Sequence, residues 1–289
     1  MRSRRIPSGA PWVAPALIVL LALSIYPLIF SVKVALTNGA GAFSFDNFTR
    51  LARDRVFWVS AMQTVVFTAV ALSIEFALGL GLALLIDSLG RARSMFRAGI
   101  MVPMLLPPVV AAVVWRLIYN PQFGVLNETL RRFGVNTAAL TWTNGERSAL
   151  LSVIAVDVWE WTPFIFLLLS AGLQAIPPEP LEAALIDGAS TWQRFRDVTL
   201  PLLKPAIVLA LLLRAMDLVR IFDQIFILTQ GGPGTATETV SLYIYRTAFR
   251  FSNFGYAAAM SFVVKRCSFR RGFSLPASAS AAAWASMEP

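Results

Sequence analysis

Five long apolar runs, separated by short polar segments, constrain this 289-residue chain more than any other feature. Crossing about 30 Å of hydrocarbon takes roughly 20 mainly apolar residues in a helix, because only a helix or a closed barrel satisfies its own backbone in lipid. The runs extend over Pro11 to Val32, Trp58 to Ile86, Ala98 to Tyr119, Ala149 to Ile176 and Ala206 to Leu228. The first follows "MRSRR" but is too long for a signal-peptide core and lacks a small-x-small cleavage site, so it reads as an uncleaved span. The second carries the small-residue run "ALGLGLAL", which allows close approach of helix backbones. Pro103, Pro107 and Pro108 predict a kink, packed inside protein, in the third. The expected fold class is all-α: a polytopic membrane protein with five clear spans and a truncated sixth.

The sixth run starts near Phe254 and stays apolar only to Val264, about half the hydrocarbon thickness, before "KRCSFRRG" intervenes. The tail "FSLPASASAAAWASMEP" is an Ala/Ser-rich segment without a periodic apolar face, and disorder is expected there. The expected organisation is a cytoplasmic N-terminal tail (1–10), one transmembrane domain (11–264) and an atypical, disordered tail (265–289).

With 57% hydrophobic and 14% charged residues, the composition is that of a membrane protein. The net charge of +9 is scattered over short loops rather than gathered on one face, which argues for membrane topology and against a nucleic-acid partner. No His is present and Cys267 stands alone, which removes His-based acid–base chemistry, His metal sites and internal disulfides; no metal site is expected. No GxxxxGK[ST] loop occurs, so any ATP must be bound by another chain. With the N-terminus inside, thirteen Lys and Arg flank the spans on the cytoplasmic side against nine outside. That orientation places residues 177–205 in the cytoplasm.

This segment reads as two short helices and a turn. Pro177, Pro178 and Pro180 end the fourth span and seed a new helix, Glu179 and Glu182 lie near its positive end, and Gly188 stops it. Ser190 and Gln193 form a capping-box pattern for a second helix, expected to end before Pro201. The first helix has an apolar strip of Leu181, Leu185 and Ile186, small Ala183 and Ala184, and acidic Glu182 and Asp187. These local rules leave two uses open, a docking element for a partner or an amphipathic turn lying on the bilayer.

The run "EAALIDGASTWQRFRDVTLP" resembles the EAA loop of binding-protein-dependent ABC importer permeases, with matching positions Glu182, Ala183, Ala184, Asp187, Gly188, Ala189, Phe195, Leu200 and Pro201. "FDQIFILTQGGPGTATETVSLYIYRTAF" (Phe222 to Phe249) and "WEWTPFIFLLLSAGLQAIPPEPLEAALIDGA" are similar to segments of the carbohydrate-uptake branch related to the maltose permease. The resemblance implies a type I importer transmembrane domain in a prokaryotic cytoplasmic membrane. It also implies that those nine positions couple to an ATPase, that no cofactor binds this chain, and that ATP and Mg belong to the ATPase. The implied partners are a second, similar permease, two ATPase subunits, an extracytoplasmic solute-binding protein, membrane lipids and a sugar or polyol. No covalent catalysis by this chain is implied.

Ionisable groups within apolar runs are functional candidates because they are expensive in lipid unless paired or facing a polar cavity. Arg214, Asp217, Arg220 and Asp223 recur every three residues in the fifth run, pairing with one another, lining a solute pathway, or, for Arg214 and the loop-proximal end, simply lying near the interface. The family resemblance favours the pathway for Asp217, Arg220 and Asp223. Trp159, Trp161 and Phe164 in the fourth run are either stacking surfaces for a sugar ring or an interfacial belt. Asp157 either hydrogen-bonds hydroxyls or marks the outer end of its span. Glu75 is expected to pair with another helix, and Arg116 to snorkel outward.

Two other classes remain open from residues alone. An ion-coupled secondary transporter would use the Asp/Arg series as a relay. A non-functional remnant would follow from a reading-frame change or deletion near Val264, where Arg, Ser and Ala abruptly replace Leu and Val.

Overall fold

The computed structural model describes residues 10–38, 41–87, 89, 93–137 and 140–272. In chain order the helices are α1 (Ala10–Ala35), α2 (Asp46–Arg53), α3 (Arg55–Asp87), α4 (Arg93–Met101), α5 (Pro108–Ile118), α6 (Val125–Arg132) and α7 (Glu146–Gln174). There follow α8 (Pro178–Ile186), α9 (Thr191–Gln193), α10 (Leu200–Leu218), α11 (Asp223–Leu228), α12 (Val240–Tyr245) and α13 (Phe254–Gly272). The helical fold expected from the apolar runs is present, in two compact units: residues 55–243, and the two ends of the chain together.

Within the unit formed by the chain ends, α13 packs along α1 and α2. Gly255 makes this possible, because a Cβ there would come within 3.1 Å of the Val34 carbonyl oxygen. Tyr256 donates its hydroxyl to Asp54 at 2.5 Å, and the Arg50 guanidinium lies 4.4 Å from the centre of the same ring. Asn47 donates to the carbonyls of Ala35 and Thr37, tying down the end of α1. The helix α13 departs from the sequence expectation. Its apolar part, Phe254–Lys265, is indeed too short to count as a span, but the helix runs on to Gly272, so the segment after Val264 begins helical. Residues 273–289, the rest of the tail expected to be disordered, lie outside the described residues, as do Arg2, Arg4, Arg5 and Arg91.

In the other unit, α3 and α7 form the largest interface and α10 closes over both. Its core gathers Ala83, Ile86, Ile165, Phe166, Leu169, Leu203 and Ala210. Glycine sets the spacing between these helices. A Cβ on Gly79 would lie 2.7 Å from the Ile165 side chain, and one on Gly172 would lie 2.6 Å from that of Ala206.

Four helices among the described residues are long and apolar enough to cross a membrane: those of the first, second and fourth runs, and Thr191–Leu218. The third run, expected to be one kinked span, is instead three pieces. They are α4, a 3₁₀ turn at Pro103–Leu105, and α5 with Pro108 in its first turn. Proline rings remove N–H donors and force the preceding residue out of the helical region; Leu106 and Pro107 are accordingly extended, with ψ of 136° and 138°. Nor is the break wholly packed inside protein in this chain, since Leu105 is 75% exposed.

The fifth run also differs from expectation at both ends. Rather than starting near Ala206, the helix begins at Thr191 and passes through Pro201 and Pro205. A π-type segment, Arg194–Thr199, absorbs the proline: the Leu200 N–H reaches back to the Phe195 carbonyl, and the widened turn relieves the crowding that Pro201 would impose. At the other end the helix stops at Leu218, and α11 begins only at Asp223.

Candidate functional site

The segment around α8 follows the sequence rules closely. Pro177 precedes the helix with ψ of 144° and Pro178 occupies its first turn. At its end Gly188 has φ of 75°, the left-handed conformation that glycine adopts without steric cost. Gly188 donates to the Leu185 carbonyl at 3.1 Å and Ala189 to that of Ala184 at 3.0 Å, the paired bonds of a Schellman stop. The chain then re-enters helix at once. Ser190 Oγ accepts from the Gln193 N–H at 3.3 Å, and the Gln193 side chain accepts from the Ser190 N–H at 2.8 Å.

The surface this builds is open. Glu182, Ala183 and Asp187 are exposed, Leu185 is 58% exposed and Ile186 is 86% exposed. Ala184, Ala189, Phe195 and Leu200 are half-buried, because the other side of α8 packs on the π-type segment; Pro201 is exposed. Phe195 stacks obliquely on Trp192 with centroids 5.5 Å apart. All nine matched positions therefore fall in one folded loop, and that loop is continuous with α10.

At the far end of α10 lies a second charged group, buried where the loop is exposed. Arg214 donates from Nε and Nη2 to the two carboxylate oxygens of Glu75 at 2.8 and 2.9 Å, and from Nη2 to Asp157 at 2.5 Å. Its Nη1 pairs with Asp217. The guanidinium also stands 4.9 Å from the centre of the Trp161 ring. Glu75 is fully buried, and Arg214 and Asp157 are each 2% exposed. The fork of the guanidinium thus joins α3, α7 and α10 in one bidentate, charge-assisted node.

The expected partner helix for Glu75 is therefore α10. Of the two readings of Asp157, neither fits this chain: the carboxylate is interior and engaged by Arg214, not at an outer end or facing an open path. The expected three-residue series divides. Arg214 and Asp217 pair within α10, while Arg220 follows the helix end and Asp223 starts α11, so the four do not form a stripe on one helix. Asp217, Arg220 and Asp223 remain exposed. Trp161 serves Arg214 and meets Phe164 edge-on at 6.3 Å, whereas Trp159 is 37% exposed and packs edge-on to Trp115 at 5.5 Å. Arg116 is exposed at a polar recess with Thr143, Asn144, Thr229 and Gln230.

Residues 75–265 match the model of the family described as binding-protein-dependent transport system inner membrane component. The chain belongs to that family. It is a membrane-embedded transport permease of the inner membrane. The trehalose/maltose transport system permease protein MalF of Thermococcus litoralis is 38% identical over 267 residues, covering 90% of each chain. The trehalose transport system permease protein SugA of Mycobacterium tuberculosis is 36% identical over 262 residues, covering 88% of this chain and 83% of that one. Among solved structures, a chain of a bacterial alginate ABC transporter in complex with an alginate pentasaccharide-bound periplasmic protein shares the fold. Its TM-score is 0.79 at 22% identity, over 90% of this chain and 91% of that one.

Sequence reasoning misses two features of this permease. Arg214 is legible as an intramembrane charge and Asp217 as its neighbour, but its partners on other helices, Asp157 and Glu75, are 57 and 139 positions away. Glu160, which accepts from Gln224 Nε2 at 2.7 Å, is not singled out by any motif, although it lies one helical turn from Asp157 on the same face.

Proposed function

We propose that this chain is the transmembrane subunit of an ABC importer that carries a sugar or related polyol across the cytoplasmic membrane. A separate ATPase drives it through Glu182 to Pro201. The observation that carries this reading is mechanical: a small, exposed, capped helix is joined by one uninterrupted helical path, Thr191–Leu218, to the interior of the transmembrane bundle. A rigid element of this kind transmits a rigid-body displacement without dissipating it in a loose loop. Sugar as cargo is supported by the relatives, whose names assign them trehalose and maltose.

In this reading the N-terminus is cytoplasmic and α8 docks on the ATPase, which holds ATP and Mg; this chain binds no cofactor. Glu182, Ala183, Ala184, Asp187, Gly188, Ala189, Phe195, Leu200 and Pro201 shape or support the docking surface. A second permease, a second ATPase subunit and an extracytoplasmic binding protein complete the machine. Solute passes along the exposed Asp217, Arg220 and Asp223, with Trp159 available for stacking on a sugar ring. Trp161 and Phe164 support that wall from behind. Alternating access follows as displacement of α8 moves α10 relative to α3 and α7.

Replacing Gly188 tests the reading. A Cβ at this position would have no atom within 4 Å, so the only obstacle to a side chain is the left-handed backbone. Gly188→Val is expected to abolish ATP-driven uptake while leaving the inserted chain folded, and Gly188→Asn, which tolerates that conformation, to retain most of it. Full uptake by a correctly inserted Gly188→Val variant would sink the proposal.

A further inference from the structure

The long helix Thr191–Leu218 is held to its neighbours in two different ways along its length. In its middle, contacts are small and apolar: Gly172 of α7 faces Ala206, and Ala210 and Leu203 lie in the core beside Ile165, Phe166 and Leu169. Surfaces of this kind slide with little directional cost. Near its end, by contrast, Arg214 is fixed by four hydrogen bonds to three carboxylates on three helices, with the Trp161 ring against its face. Such bonds are directional, and at the three made to buried Glu75 and Asp157 no solvent replaces one that is lost. Four residues later the helix ends, and the non-helical stretch between Leu218 and Asp223 intervenes. Beyond it α11 is held separately, Gln224 donating to Glu160 of α7. Asp157 and Glu160, one turn apart on α7, therefore grip the chain on both sides of the break.

We propose that Arg214 is the fulcrum on which α10 turns: Glu75 and Asp157 hold this point of the helix fixed while its α8 end is displaced. Arg214 acts as a positioning residue, touching no solute. The inference rests on the proposed coupling through α8, and it adds that the movement is a rotation about Arg214, not a translation of the helix. The break after Leu218 takes up the rotation, so that α11 and its pin to Glu160 stay in place.

The test uses spin-label pairs in the assembled importer, purified through a tag on this chain, with and without a non-hydrolysable ATP analogue. One pair, Leu85 with Leu202, reports the α8 end of α3 and α10; the other, Leu78 with Met216, reports the level of the node. All four side chains are exposed. The expected result is a nucleotide-dependent change in the Leu85–Leu202 distance and an unchanged Leu78–Met216 distance. In the triple variant Glu75→Gln, Asp157→Asn, Arg214→Met, which strands no buried charge, both distances are expected to change. Arg214→Lys, which keeps the charge but not the fork, is expected to lie between, providing a second, milder variant. Equal movement of both pairs in the unmodified chain overturns the fulcrum and leaves the coupling intact. So does a Leu78–Met216 distance that stays fixed in the folded triple variant. Movement of neither pair in the unmodified chain overturns the coupling reading, and the fulcrum with it.

Discussion

From Glu182 to Pro201 the charged side chains other than half-buried Arg194 stand exposed, and the bonds that shape the backbone join residues no more than five apart. Around Arg214, Glu75 and Asp157 are buried with it and the bonds to them reach across 139 and 57 positions, while Asp217 keeps one face exposed. The helix Thr191–Leu218 joins the two regions, yet they are specified by different physics. A cap, a glycine stop and a proline start are decided locally and survive without neighbours. A buried guanidinium is tolerable only once three helices have assembled around it. The first arrangement leaves a surface free for a partner, and the second leaves only Asp217 exposed.

This contrast gives its largest expected effect at Arg214. Arg214→Ala strands two buried carboxylates and is expected to cost about 3–5 kcal/mol, read as a large fall in thermal unfolding temperature in detergent. Neutralising Glu75 and Asp157 in the same chain is expected to recover most of that loss. A marginal change for Arg214→Ala alone would mean that the node is hydrated and that the two regions are less different than the burial indicates.

A smaller effect is expected in the loop. Ser190→Ala removes one half of the capping box and is expected to cost about 1 kcal/mol locally, with faster hydrogen exchange at the Gln193 amide and little change in global unfolding. If global stability fell as far as for Arg214→Ala, the loop would have to be part of the core. The smallest effect is expected at Glu128, whose pairs with Arg131 and Arg132 at 3.5 and 3.4 Å are exposed. Glu128→Gln is expected to change unfolding by less than about 1 kcal/mol, and by less still in high salt.

The same division explains what is legible in the sequence. Pro178, Gly188, Ser190 and Gln193 each announce a local backbone event, and the helix α8, its stop and the capping box all fall where those residues place them. The apolar runs likewise announce helices, because period and length are local. Three expectations fail where a local rule meets a compensation it does not contain. By the local rule Pro201 stops a helix, but the π-type turn ahead of it makes room for the ring. The prolines at 103, 107 and 108 predict a kink, but acting together they divide the run into three pieces. The Arg214-to-Asp223 spacing predicts one stripe, but the chain leaves helix after Leu218, and no nearby Gly or Pro signals it. Glu75 and Asp157, the partners of Arg214 on other helices, are hidden for a simpler reason: pairing between distant helices is decided by packing, and one sequence carries no record of it.

The central claim is that nucleotide hydrolysis by a partner, transmitted through Glu182 to Pro201, moves solute through this chain. The most direct measurement is uptake of labelled trehalose and maltose by proteoliposomes holding the importer purified through a tag on this chain, with its binding protein outside and ATP inside. Ionophores are added to collapse all ion gradients. The account predicts that accumulation of at least one of the two sugars requires ATP and persists with ionophores. Accumulation that proceeds without ATP and stops with ionophores would contradict it and make this permease an ion-coupled transporter.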